Sequence, residues 1–146
     1  MLFPKDKDVM PQSPIEQTQR LEQAARKVLA NSYSPYSGFA VGAALLAGDG
    51  TIITGCNVEN ASYGLSLCAE RVALVKAVSE GYRHFAALVV FTPTQNPTPP
   101  CGACLQMLAE FAPELHIMAV CDTDLILAGP LRDFLPHAFL KRNLHV

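Results

Sequence analysis

Cys68-Ala69-Glu70 opens one apolar helical segment, and Pro100-Cys101-Gly102-Ala103-Cys104 opens another further along the chain. Three thiolates occupy three of the four corners of a tetrahedral zinc site and leave the last corner to a water. A carboxylate two residues from the first thiolate is within reach of that water, so Glu70 reads as the group that takes its proton. A closed structural site needs a fourth protein ligand, and neither Cys56 nor Cys121 lies at a conventional partner spacing. Taken alone, Cys101 and Cys104 also resemble a thiol-disulfide redox motif, but that reading leaves Cys68 and Glu70 unexplained.

The elements that must position these residues are legible from punctuation and period. Ser13-Pro14-Ile15-Glu16 is a helix opening, with a capping serine, a proline at the first helical position and a glutamate placed for a capping box. Ile15, Leu21, Ala24, Ala25, Val28 and Leu29 mark its expected buried face, and Arg26 and Lys27 suit its C-terminal dipole. Ser34-Pro35-Tyr36-Ser37-Gly38 breaks this helix. Two apolar runs, Phe39 to Ala47 and Thr51 to Val58, flank Gly48-Asp49-Gly50 and read as a β-hairpin. A helix is expected from about Leu67 to Glu80, with Gly81 as its stop. Ala86 to Phe91 is a continuous buried strand. Pro93, Pro97, Pro99 and Pro100 make the next segment a loop, which delivers the second cysteine pair to a helix from about Gly102 to Phe111. His116 to Cys121 and Leu125 to Ala128 are two further strands, and a short amphipathic stretch around Arg132 to Leu140 closes the chain. The order implies one mixed five-stranded sheet with helices on both faces, a three-layer α/β/α sandwich. Both cysteine motifs then begin helices, where the backbone amides and the dipole favour thiolate over thiol.

A chain of 146 residues, 50% hydrophobic and 16% charged, suffices for one domain with a well-buried core. Residues 1–12 have no period and are expected to form a disordered extension before a single domain over 13–146. The formal charge of −2 argues against a nucleic-acid partner and for a small soluble substrate. No apolar run is long enough for a signal peptide or a bilayer span, so a cytoplasmic location is expected. The five cysteines are then reduced, and Cys56 and Cys121, inside apolar runs, are expected to be buried core residues. The four histidines are dispersed, and none is assigned to metal.

Ser34-Pro35-Tyr36-Ser37, Val41-Gly42-Ala43-Ala44, Gly55-Cys56-Asn57-Val58-Glu59-Asn60-Ala61-Ser62-Tyr63-Gly64, Cys68-Ala69-Glu70-Arg71 and Pro100-Cys101-Gly102-Ala103-Cys104 together resemble the homotetrameric cytidine deaminase family. The resemblance covers roughly residues 15–140. It implies hydrolytic deamination of cytidine and 2′-deoxycytidine to the uridine nucleosides and ammonia, in pyrimidine salvage. It implies one zinc ion per subunit on Cys68, Cys101 and Cys104, with Glu70 as proton shuttle. The shuttle takes a proton from water, protonates the pyrimidine at N3, lets hydroxide attack C4, and passes a proton to the departing amine. Arg71 is implied to donate hydrogen bonds to the thiolates and so offset the charge of three sulfurs on one dication.

The resemblance further implies that Phe39 packs on the pyrimidine, that Asn57 and Glu59 bind the ribose, and that the backbone at Ala69 meets the base edge. Alternation from Cys56 to Glu59 sends Asn57 and Glu59 to one face. Tyr63 and Phe139 are implied to complete a neighbouring subunit's pocket, making the active sites composite. Departures from the family pattern are Gly38, Pro99 before Pro-Cys, Leu105 where arginine is usual, and Leu140-Lys141 after Phe139. The alternatives are a deaminase of a modified or antibiotic cytosine nucleoside and, from another class, the redox protein using Cys101 and Cys104.

Overall fold

The computed structural model describes residues 13–144, so the expected extension over 1–12 lies outside the described residues. Helix α1, Pro14–Val28, opens as its sequence dictates: the Ser13 hydroxyl accepts the Glu16 N–H and the Glu16 carboxylate accepts the Ser13 N–H. These bonds satisfy two of the amide groups that a helix start otherwise leaves open. Strands β1, Gly42–Ala47, and β2, Ile52–Cys56, follow, then helix α2, Ala69–Ser79. Strand β3, Phe85–Phe91, leads through the proline-rich loop to helix α3, Gly102–Phe111. Strands β4, His116–Val120, and β5, Ile126–Pro130, and the short helix α4, Leu131–Phe134, complete the fold. Among the described residues no helix is long and apolar enough to cross a membrane.

The five strands form one sheet in the order β2-β1-β3-β4-β5, with β3 and β4 parallel and every other pair antiparallel. Side chains alternate across it. Ala43, Leu45, Leu88, Val90 and Ile117 pack with Ala69, Ala73 and Leu74 of α2 and Leu105 and Leu108 of α3. Ala44, Leu46, Val89, Phe91 and Val120 pack with Leu21 and Ala25 of α1. Two cores on two faces give the three-layer α/β/α sandwich. β1 is buried along its whole length, as a strand covered on both faces must be.

Three local expectations are corrected. Ile15 is exposed rather than on the buried face; at about 100° per residue it lies roughly a third of a turn from Leu21, which is the residue that meets the sheet. The first strand begins at Gly42, not Phe39. Its ladder stops there because the Asn57 side chain takes over both main-chain partners: Oδ1 accepts the Val41 N–H at 2.9 Å and Nδ2 donates to the Phe39 carbonyl at 2.7 Å. Helix α2 starts at Ala69, not Leu67, with Cys68 as its N-cap, and its buried face is Ala69, Glu70, Ala73, Leu74 and Ala77, so three alanines carry much of the packing. They allow a very close approach. A β-carbon added at Gly55 of β2 would stand 2.5 Å from the Ala69 carbonyl and 2.5 Å from the Ala73 nitrogen. Gly81, at a φ of 99°, ends the helix, a conformation that glycine adopts without a β-carbon clash.

Candidate active site

Two helix starts converge at one end of the sheet. Cys68 caps α2 and Cys101 caps α3, both with extended backbone (φ −71°, ψ 154° and φ −71°, ψ 165°), and neither sulfur is used for capping. Cys104 follows on the first turn of α3 and is fully buried. The Cys68 and Cys101 sulfurs are 3.9 Å apart, those of Cys101 and Cys104 3.5 Å apart, and all three lie within 4.8 Å of one another. Zinc–sulfur bonds of about 2.3 Å at tetrahedral angles require sulfurs about 3.8 Å apart, close to the two separations above, so the three are placed to hold one zinc ion. Cys56 and Cys121 are buried elsewhere, as expected of core thiols.

The electrostatics already favour a ligand. The adjacent Cys104 thiol, and then Arg71, stabilise the Cys68 thiolate and bring its pKa down to about 5. The Cys104 thiol is pushed upward by its bond to Cys68 and by burial. Arg71 donates from Nη2 to the Ser66 carbonyl at 3.0 Å and approaches the Cys68 sulfur at 3.7 Å. Its Nε is buried without a hydrogen-bond partner. Leu105, at the position noted for its missing charge, is buried in the core.

Glu70, in the first turn of α2, is 4% exposed. Burial pushes its pKa up to about 7, and the Cys68 thiolate adds to the rise. It faces a cavity of about 460 Å³ whose mostly apolar lining includes Phe39, Asn57, Glu59, Cys68, Thr98 and Cys101. The structure thus brings together on one cavity six residues that the sequence singled out, Phe39, Asn57, Glu59, Cys68, Glu70 and Cys101. Ala69 has its side chain in the core. Tyr63, 75% exposed, rims a smaller adjoining depression with Tyr36, Ser37, Glu59 and Ser66, and its ring meets that of Tyr36 edge-on at 5.8 Å. Phe139, 59% exposed, lines neither cavity.

Asn57 and Glu59 are largely committed to the loop before β1. Asn57 Oδ1 accepts from Ser32 Oγ at 2.5 Å as well as from Val41, and Nδ2 gives one proton to Phe39. Glu59 accepts from the Tyr36 and Ser37 amides at 2.9 and 3.1 Å and from Ser37 Oγ at 2.5 Å. These bonds, led by the Ser37 hydroxyl, hold its carboxyl below the usual glutamate range. One amide proton of Asn57 and one acceptor position of Glu59 remain for a ligand.

Several residues here have roles that the sequence reading did not assign. Ser32 and Ser37 reach Asn57 and Glu59, more than twenty positions away, and Gln106, two residues after Cys104, holds Phe139 by both ends of its amide. Leu67 and Val90 supply apolar wall, which composition alone does not distinguish from core.

Three sulfurs at metal-binding distance, with a buried carboxyl on the cavity that two of them line, fit a zinc site whose three protein ligands leave a fourth position free, rather than a dithiol exchanger. Paired with this ligand order on two helix starts over a mixed sheet, the class is that of the zinc-dependent deaminases. Residues 15–120 match the family model of the cytidine and deoxycytidylate deaminase zinc-binding region. The chain is 47% identical over 129 residues to the cytidine deaminase of Sporosarcina psychrophila, covering 86% of this chain and 93% of that one. It is 55% identical over 95 residues to that of Halalkalibacterium halodurans, covering 65% and 72%. The crystal structure of cytidine deaminase from Burkholderia pseudomallei superposes with a TM-score of 0.80 at 45% identity, over 83% of this chain and 98% of that one. The chain belongs to the cytidine and deoxycytidylate deaminase family, as a zinc-dependent enzyme with one metal site per subunit on Cys68, Cys101 and Cys104.

Proposed function

We propose that the protein hydrolyses free cytidine and 2′-deoxycytidine to uridine and 2′-deoxyuridine with release of ammonia, serving pyrimidine salvage in the cytoplasm. The observation that carries this reading is the buried Glu70 carboxyl on the same cavity as Cys68 and Cys101. Zinc bound there supplies Lewis-acid polarisation that makes water nucleophilic near neutral pH. Everything else falls to the chain. The net exchange is water for ammonia at C4: a C–O bond forms, the C–N bond breaks, and protons move from water to the ring and the leaving nitrogen. A carboxyl raised to about 7 is matched to both halves of that traffic, since a group titrating near the working pH accepts and donates with equal ease. Glu70 takes the proton from water, delivers it to N3, and returns one to the departing amine.

Phe39 packs on the pyrimidine, and the first-turn amide at Ala69 meets the base edge, where a helix start offers unpaired N–H groups. The remaining Asn57 proton and Glu59 acceptor bind sugar hydroxyls. Tyr63 and Phe139, large aromatics left exposed on one subunit, complete a neighbour's pocket in a homotetramer, because exposed aromatics of this size are characteristic of interfaces. One domain over 13–146 carries all of this.

The test is metal content together with the ultraviolet change as cytidine becomes uridine, comparing Glu70→Gln with the unmodified protein. Zinc retained with turnover lost by about 10²-fold or more is expected. Turnover unaffected by the substitution refutes the shuttle, turnover confined to a modified cytosine nucleoside replaces the substrate, and cytidine-independent dithiol exchange replaces the class.

A further inference from the structure

Among the described residues three polar or charged side chains are buried: Asn57, Glu70 and Thr92. Asn57 and Glu70 face the cavity. Thr92 does not line it and yet is fully enclosed. It stands at the end of β3, where the chain leaves the sheet for the segment that delivers Cys101.

That segment has an unusual difficulty. Pro93, Pro97, Pro99 and Pro100 have no N–H to donate, so few main-chain bonds can hold it. Hydroxyls take their place. Thr92 Oγ1 lies 2.8 Å from Thr94 Oγ1 and donates to Thr98 Oγ1 at 3.2 Å, while the single Thr94 hydroxyl proton is shared between Thr92 Oγ1 and the Asn96 carbonyl, 2.7 Å away. On the outer side, the Asp122 amide and Thr123 Oγ1 donate to the Thr94 and Gln95 carbonyls, each at 3.0 Å. The inner end of this arrangement is functional surface, since Thr98 and Pro99 line the cavity beside Cys101.

We propose that Thr92 is a positioning residue whose enclosed hydroxyl folds the proline-rich segment into the arrangement that sets Cys101 against Cys68 and makes Thr98 and Pro99 a wall of the cavity. The inference rests on the three-cysteine zinc site and not on the identity of the substrate. An enclosed hydroxyl linking both ends of a loop costs little once satisfied, whereas its loss removes the one side-chain bond that ties Thr98 back to the end of β3. Preorganised ligands hold a metal more tightly than ligands that must be gathered, and supporting hydrogen bonds are commonly worth about 10- to 100-fold in metal affinity.

The test separates hydroxyl from methyl. Thr92→Val keeps the bulk and removes the hydroxyl, while Thr92→Ser keeps the hydroxyl and removes the methyl. Zinc transfer from the loaded protein to a chromogenic chelator is timed for each, alongside KM and kcat for cytidine. Thr92→Val is expected to speed zinc release about tenfold and to raise KM with a smaller change in kcat, while Thr92→Ser stays close to the unmodified protein. Thr98→Val, which removes the partner at the half-buried end, serves where the core variant does not fold, and is expected to speed release in the same direction. Equal release rates in Thr92→Val and the unmodified protein overturn the proposal. So does a Thr92→Ser variant that loses zinc as fast as Thr92→Val, since packing and not the hydroxyl would then matter. The chelator measurement reads the metal site whether or not cytidine is turned over, so failure of this inference is distinct from failure of the proposed activity.

Discussion

Gln106 grips the main chain of Phe139 with both ends of its amide: Nε2 donates to the Phe139 carbonyl at 2.6 Å, and Oε1 accepts the Phe139 N–H at 3.1 Å. The clamp joins the helix bearing Cys101 and Cys104 to the C-terminal segment. If Phe139 completes a neighbour's pocket, Phe139→Ala raises KM for cytidine and leaves zinc content unchanged. Gln106→Ala gives up two hydrogen bonds worth about 1 kcal/mol each, so a KM increase of several-fold is expected, with little added in the Phe139→Ala background. Additive effects in the double variant would show that Gln106 acts elsewhere, and a fully active monomer contradicts the composite site.

Gly55→Ala is expected to destabilise the fold and the metal site together. The new β-carbon meets main-chain atoms of Ala69 and Ala73 at 2.5 Å, which cannot swing aside as a side chain can. Helix α2 must lift off β2 and carry Cys68 and Glu70 with it, at a cost of about 3 kcal/mol or more. Thermal unfolding and zinc content check this, and an unshifted midpoint contradicts it.

Arg71→Gln removes the cation that bonds the Ser66 carbonyl and approaches the Cys68 sulfur. Zinc affinity measured by metal competition is expected to fall about tenfold, because three thiolates on one dication leave a net negative charge to be offset. Unchanged affinity removes Arg71 from this role.

The loop before β1 has its own pH dependence. Bonds from the Ser37 hydroxyl and amide hold Glu59 below the usual glutamate range. A depressed folded value means that the stabilisation is complete above the unfolded value, about 4.3, and is lost as pH falls through the lower folded value. The Tyr36 and Ser37 amide resonances should therefore hold their positions down to the ordinary glutamate range and shift only below it. A midpoint at or above that range contradicts the prediction. In Glu59→Gln the transition is absent.

Local signals suffice wherever neighbours in sequence are neighbours in space. The Ser13–Glu16 capping box, the Gly81 stop and the start of α3 at Gly102 are contacts across a few residues. The first strand shows the opposite case. Phe39 carries a strand-like apolar signal, but its carbonyl belongs to the Asn57 side chain, and no period announces a bond between residues on either side of a hairpin.

The cysteine spacing, the glutamate two residues on and the alternation of helix and strand determined by themselves the metal, its ligands and the layered fold, because each follows from residue type and short-range geometry. Only the tertiary structure decided that Glu70 is buried and raised toward neutrality, that Asn57 and Glu59 keep one bonding position apiece, that Thr92 ties the proline-rich segment together and that Gln106 holds Phe139. Those properties come from desolvation and from hydrogen bonds between distant segments, which exist only once the helices have closed on the sheet.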